Sequence, residues 1–187
     1  LANVMRMSTE KAAALTRFLD MGGSIVISAG ELVDPDFYNN HLYAGGEGIM
    51  PCVLKDAVDK RRTGETYITM DPDSAQGKIT SFIRKFGRGM TDHIHFYKYF
   101  TVVIPEGAAD DTFYREASLS FSNGVPALAV KVGTGVSCFL NFTLDDEWCS
   151  FNSHPLFLPF FRELLNYCIT RGYSRYNGTS GMPVRAL

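Results

Sequence analysis

Chemistry in this chain would start at Ser28, which ends the apolar run Ser24-Ile25-Val26-Ile27-Ser28 and is followed by Ala29, Gly30 and Glu31. A strand-end hydroxyl, an imidazole from His41 or His154 and a carboxylate such as Glu31 are the residue types of a hydrolase triad. The plainer reading is that Ser28 closes a buried strand and hydrogen-bonds locally, as Ser does at turns. His93 and His95 stand two apart, so in a strand they would share one face and could begin a metal site. A zinc centre needs three or four ligands and no third is evident, so exposed strand-edge imidazoles are the expectation and no metal is assigned. His154 lies in Asn152-Ser153-His154-Pro155, where Ser153 can cap a following helix and Pro155 can occupy its first turn.

Cys52, Cys138, Cys149 and Cys168 contain no C-x-x-C pair, and four cysteines in this length make no dense disulfide framework. Cys138 in a β-like run and Cys168 on an apolar helix face read as small hydrophobes. Acidic pairs at Asp34 and Asp36, Asp71 and Asp73, Asp110 and Asp111, and Asp145 through Glu147 match no calcium-loop spacing, and loop turns explain them. Asn141 and Asn177 each begin a glycosylation acceptor triplet, a pattern common by chance. No cofactor motif is present, and no cofactor is expected.

These residues must be positioned by a folded core. The 187 residues hold 45% hydrophobic and 20% charged side chains, enough for one domain without staples. Fourteen Phe, nine Tyr and one Trp exclude a solvated, disordered chain. A net charge of −2 provides no positive field for phosphates, so no nucleic acid is expected as a partner; Phe96, Tyr97, Lys98, Tyr99 and Phe100 read as core and sheet surface. No apolar run reaches the roughly 18 residues that span a bilayer, so this segment inserts no helix directly into a membrane.

Ser8 or Thr9 can cap a helix whose Ala12, Leu15, Phe18 and Leu19 form one stripe, with Gly22-Gly23 as its stop. The β-branched run 24–28 follows at once, and a helix feeding a strand covered on both faces is half of a parallel crossover. Residues 36–43 suit a short helix, 50–58 and 67–70 short strands, 77–86 a helix and 93–104 a long strand. Later, 117–121, 127–131 and 135–142 read as strands joined by Asn123-Gly124 and Gly133-Thr134-Gly135, turns short enough to demand antiparallel neighbours. An apolar helix over 155–170 closes the domain 1–170, and 171–187 reads as a linker or flexible tail.

Four strings together carry a family resemblance: ALTRFLDMGGSIVISAGELVDPDFYNNHLY, GEGIMPCVL, HFYKYF and VGTGVSCFLNFTLDDEW. They resemble the class I glutamine amidotransferase-like domain of bacterial aerotolerance (Bat)-type membrane proteins, over about residues 1–170. That family joins the domain to membrane helices and a von Willebrand factor A domain. The resemblance implies a flavodoxin-like α/β fold, a mainly parallel sheet flanked by helices, here with an antiparallel β extension. It also implies that strand-helix units before Leu1–Val4 are missing, so that Leu1 begins inside a fold. Active relatives place a Cys in a nucleophile elbow, where Ser28 stands here with Gly30 as the following glycine. They also carry His-Pro-Glu, of which His154-Pro155 keeps two and Leu156 replaces the Glu.

The expectation is therefore a non-catalytic module for ligand binding or protein interaction, with Ser28, Ala29, Gly30, Glu31 and His41 as ligand-binding candidates. The alternative is a hydrolase or amidotransferase-like enzyme using Ser28 with His154 and Glu31. Expected partners are other proteins or other domains of the same chain. The resemblance further implies association with a membrane through the parent protein, on its extracytoplasmic side.

Overall fold

The computed structural model describes residues 1–62, 64, 66–105 and 114–173. Helix α1 (Thr9–Asp20) starts where the Ser8 side chain accepts from the Lys11 N–H, and it runs through the Gly22-Gly23 turn into β1 (Ser24–Ser28). A short helix α2 (Pro35–Phe37), capped by the Asp34 carboxylate on the N–H groups of Asp36 and Phe37, continues as a π-helical turn over Tyr38–Tyr43. Then come β2 (Val53–Asp59), β3 (Met70–Asp71), α3 (Gly77–Phe86), α4 (Arg88–Thr91) and β4 (Lys98–Val103). The chain closes with β5 (Tyr114–Phe121), β6 (Pro126–Val132), β7 (Val136–Leu140) and α5 (Phe157–Tyr173).

The main sheet has the order β1-β7-β6-β5-β3, and β2 pairs with β4 in a separate antiparallel ribbon. Among the described residues only β1 and β7 pair in parallel, in the register Ser24↔Val136 to Ser28↔Leu140, and every other strand pair is antiparallel. A single parallel bridge, Ala2↔Ser28, adds the N-terminal segment beside β1. The expected mainly parallel, flavodoxin-like sheet is therefore overturned: the sheet is mixed and mostly antiparallel. Two physical reasons stand behind this. The turns at 122–125 and 133–135 are too short for crossovers, so β5, β6 and β7 form a meander. Between 53 and 103, β2 and β4 pair with each other in the ribbon and β3 joins the sheet antiparallel to β5, so none of them adds a parallel strand.

Both faces of the sheet are covered, and alternation along each strand decides which side chain goes where. Val136, Cys138 and Leu140 of β7 and Val130 of β6 face a core completed by Ile79 and Ile83 of α3 and Phe160, Leu164 and Cys168 of α5. Ile25, Ile27, Ala129 and Phe139 point the other way, against Ala12 and Leu19 of α1, Tyr38, Leu42, and Leu54, Phe100 and Val102 of the ribbon. Lys131 shares this second face. It is buried because its ammonium donates to the carbonyls of Gly46 at 2.9 Å, Glu47 at 3.4 Å and Gly48 at 2.6 Å, while Arg115 also donates to Gly46. Four charge-assisted bonds thus replace the water that the loop carbonyls and the amine give up.

Several local expectations shift. The segment 93–97 is not strand: His93 lies in a turn and His95 stacks on Tyr67 with ring centroids 3.7 Å apart, so the two imidazoles do not share a strand face. The last helix starts at Phe157, and it is the His154 Nδ1, not Ser153, that accepts from the Leu156 N–H at 3.2 Å; Ser153 donates to Asn152. Asp34, Asp71 and Asp145 each accept from an N–H two residues on, the turn role expected of them; Asp110, Asp111 and Asn177 lie outside the described residues. Helix α5 takes in residues 171–173, and the rest of the expected tail lies outside the described residues. Among the described residues no helix is long and apolar enough to cross a membrane.

Asn141, just beyond β7, is fully buried. Its Oδ1 accepts from the Phe100 N–H at 2.9 Å, and its Nδ2 donates to Phe100 O at 2.7 Å and Pro126 O at 2.9 Å. Replacing Asn141 with Leu leaves three backbone groups without partners, at about 1–3 kcal/mol for each buried orphan. Urea denaturation of Asn141→Leu should show a loss of about 3 kcal/mol or more. A loss below about 1 kcal/mol would mean that the ribbon is held to the sheet in some other way.

Candidate functional site

The parallel pair β1 and β7 sends two loops off the same end of the sheet, and the ladder continues one step past it through the Ala29 N–H to Leu140 O bond at 2.9 Å. The loop after β1 carries Gly30 and Glu31; the loop after β7 carries Trp148. The β2–β4 ribbon closes a third side with Ala57, Val58, Asp59, Lys98 and Phe100, and Arg62 stands at the turn beyond β2. Together they enclose a cleft of about 250 Å³.

The floor of the cleft is aromatic. Trp148 and Phe100 are almost fully buried, with ring centroids 5.9 Å apart. The Trp148 backbone is fixed because its N–H donates to Asp145 O at 2.9 Å and its carbonyl accepts from the Tyr97 N–H at 2.7 Å. Charge lines the walls in opposite pairs. The Glu31 Oε2 accepts from Lys98 Nζ at 3.0 Å and from the indole Nε1 of Trp148 at 3.3 Å. Glu147 stands 3.6 Å from the same ammonium, and Arg62 pairs with Asp59 at 3.4 Å. The Lys98 side chain is only 18% exposed, whereas that of Glu31 is 67% exposed. The Lys98 hydrogen bond holds the Glu31 carboxyl below its ordinary value, and the same bond raises Lys98.

Of the candidate residues, the structure brings only Gly30 and Glu31 into this cleft. Ser28 Oγ lies 2.9 Å from Phe142 O and 3.1 Å from Ala29 O, so its proton goes to a backbone carbonyl. Ala29 is buried beneath the loop. Gly30 is required by packing, because the Asn3 side chain sits 2.3 Å from where a Cβ would be and accepts from the Leu32 N–H at 2.7 Å. His41 is exposed on the π-helical turn against Phe37, beside a different cavity that it shares with Arg17 and Glu47. His154 is lowered by burial and by nearby His93, and it serves the start of α5. His93 and His95 gain no further ligand: among the described residues no three metal-binding side chains cluster.

Sequence reasoning missed Asp59, Arg62, Lys98, Phe100 and Trp148. Lys98 is the one charge inside the aromatic run 96–100, and Trp148 follows three consecutive acids. Both signals are visible in the sequence, but neither points to the other until the fold sets them side by side.

No family model matches this chain, and neither does any curated protein. A solved structure that resembles it is the cytoplasmic protein STM1381 from Salmonella typhimurium LT2, with a TM-score of 0.60 at 15% identity. The match covers 84% of this chain and 60% of that one, so the chain spans about three-fifths of its length. At this identity the likeness is one of fold.

A carboxylate whose value is depressed in the folded state contributes stability above its unfolded value, and loses it as pH falls through the lower folded value. Acid titration should therefore move the Trp148 emission in a step centred below the ordinary glutamate value of 4.5, and Glu31→Gln should abolish it. A wild-type midpoint at or above 4.5 would show that Lys98 and Trp148 do not hold the ionised form.

Proposed function

We propose that the chain is a non-catalytic binding module whose cleft, beyond the carboxyl ends of β1 and β7, takes a small polar ligand. The observation that carries this reading is the convergence of Glu31, Lys98, Asp59 and Arg62 over the Phe100 and Trp148 floor. Placed polar groups beside aromatic and apolar surface, at the carboxyl end of parallel strands, are a common make-up of a ligand site. What speaks against the hydrolase alternative is the commitment of the Ser28 hydroxyl to backbone carbonyls, since a nucleophile needs a base within hydrogen-bond reach. From the Bat-type resemblance the proposal keeps one element: a domain that works by binding, within a larger assembly of domains or proteins.

Trp148 is the only tryptophan in the chain, so its emission reports on the cleft alone. Titration with a panel of small carboxylates, phosphates, sugars and amines should give a saturable change for at least one compound. Lys98→Ala should weaken that compound about tenfold, the worth of one charge-assisted hydrogen bond, and Ser28→Ala should leave it unchanged. A flat response across the panel counts against the binding reading. Labelling of Ser28 by a fluorophosphonate would restore the hydrolase one.

A further inference from the structure

Two donors line the cleft from largely buried side chains. The indole N–H belongs to a ring that is 4% exposed, and the ammonium to a side chain that is 18% exposed. Neither group can accept a hydrogen bond, so whatever meets them must bring lone pairs. A buried donor left without an acceptor loses the full cost of its desolvation. One oxygen, Glu31 Oε2, meets both. Its side chain is the most solvent-exposed member of the group apart from Glu147 and Arg62, and it sits on the loop after β1. The fixed parts of the site are thus the donors, and the exchangeable part is the acceptor.

Given the binding reading above, on which this inference rests, we propose that the ligand carries an oxyanion, a carboxylate or a phosphate, and that Glu31 is its built-in stand-in, withdrawing from Lys98 and Trp148 when the ligand arrives. The remaining charges fit the exchange. Arg62 at the mouth gives the anion a second cation once Glu31 has left. Asp59 is already engaged with Arg62, and Glu147, 3.6 Å from the ammonium and outside the cleft lining, keeps Lys98 partly neutralised in either state. A cationic ligand could meet the Glu31 or Asp59 carboxylate, but it would bring no acceptor to the two donors. A neutral one would have to displace a carboxylate from an ammonium without bringing charge of its own.

The test is Trp148 emission in the wild type, Glu31→Gln and Glu31→Ala. The carboxylate arm uses acetate, succinate and citrate, the phosphate arm inorganic phosphate and glycerol 3-phosphate, and the controls are glucose and putrescine. Saturable binding is expected in one oxyanion arm, and whichever arm saturates identifies the source of the anion. Both Glu31 variants should bind that compound about fivefold more tightly than the wild type, because an exposed ion pair no longer competes. Equal or weaker binding by both variants would overturn the stand-in role. Binding of glucose or putrescine with no oxyanion response would overturn the inference and leave the cleft a binding site. If no compound binds any of the three proteins, both readings fall.

Discussion

The amide of Asn141 is placed where the sheet ends and the ribbon has not yet found a partner. A two-stranded ribbon is marginal by itself in water, so β2 and β4 need to be held against something larger. Asn141 supplies that hold by presenting an acceptor and a donor side by side to the N–H and C=O of Phe100, as a neighbouring strand would, with its second amide hydrogen tied to Pro126. An aspartate there could accept but not donate, and it would bury a charge; a leucine could do neither. Because Phe100 is clamped, Lys98 two residues earlier falls on the same side of β4 and reaches Glu31. The cleft is therefore downstream of one buried side chain that does not line it.

Topology decides where that cleft lies. One parallel pair in a largely antiparallel sheet is enough to make two chain segments leave in the same direction, and the space between them must be filled or left open. Here Trp148 and Phe100 fill its bottom and charged side chains rim its top. The opposite charges keep a site with two cations and several acids near neutrality, so it is neither a strong field for polyanions nor a repulsive one for small anions. On the far side of the same face, Lys131 uses three carbonyls to fasten residues 46–48 to the sheet. With three carbonyls around its ammonium, it holds the loop in place, whereas Lys98 meets a carboxylate that is largely exposed.

How much of this was legible follows from the range of the interactions. The helix at 9–20, the strand at 24–28, the helix at 77–86 and the three-stranded meander are set by local periodicity and turn length, and they read directly from the sequence. The parallel orientation of 24–28 was also readable, from the helix before it and its uniform apolarity. What failed was the step from one parallel pair to a parallel sheet. Residues 53–59 and 98–103 look like sheet strands whether they join the sheet or each other, because alternation specifies a face and not a partner. The site suffers from the same limit. Glu31 was reachable as a residue three past the strand end, whereas its contacts with Lys98 and Trp148 span 67 and 117 residues and depend on the ribbon's docking.

The same geometry sets this turn apart from a catalytic elbow. At an elbow, the residue after the strand is strained outward so that a nucleophile faces the substrate. Here Ser28 still pairs with Leu140 and Ala2, its hydroxyl is bound to main-chain oxygen, and Gly30 makes room for Asn3. All four cysteines are buried, and burial raises Cys149 to about 11 and Cys52 further still. The turn is thus a joint between the N-terminal segment and the sheet. The first side chain past it that is free to face solvent and cleft alike is Glu31. A strand end that elsewhere presents a nucleophile here presents a carboxylate with two fixed donors, and such an arrangement can exchange partners without making or breaking a covalent bond.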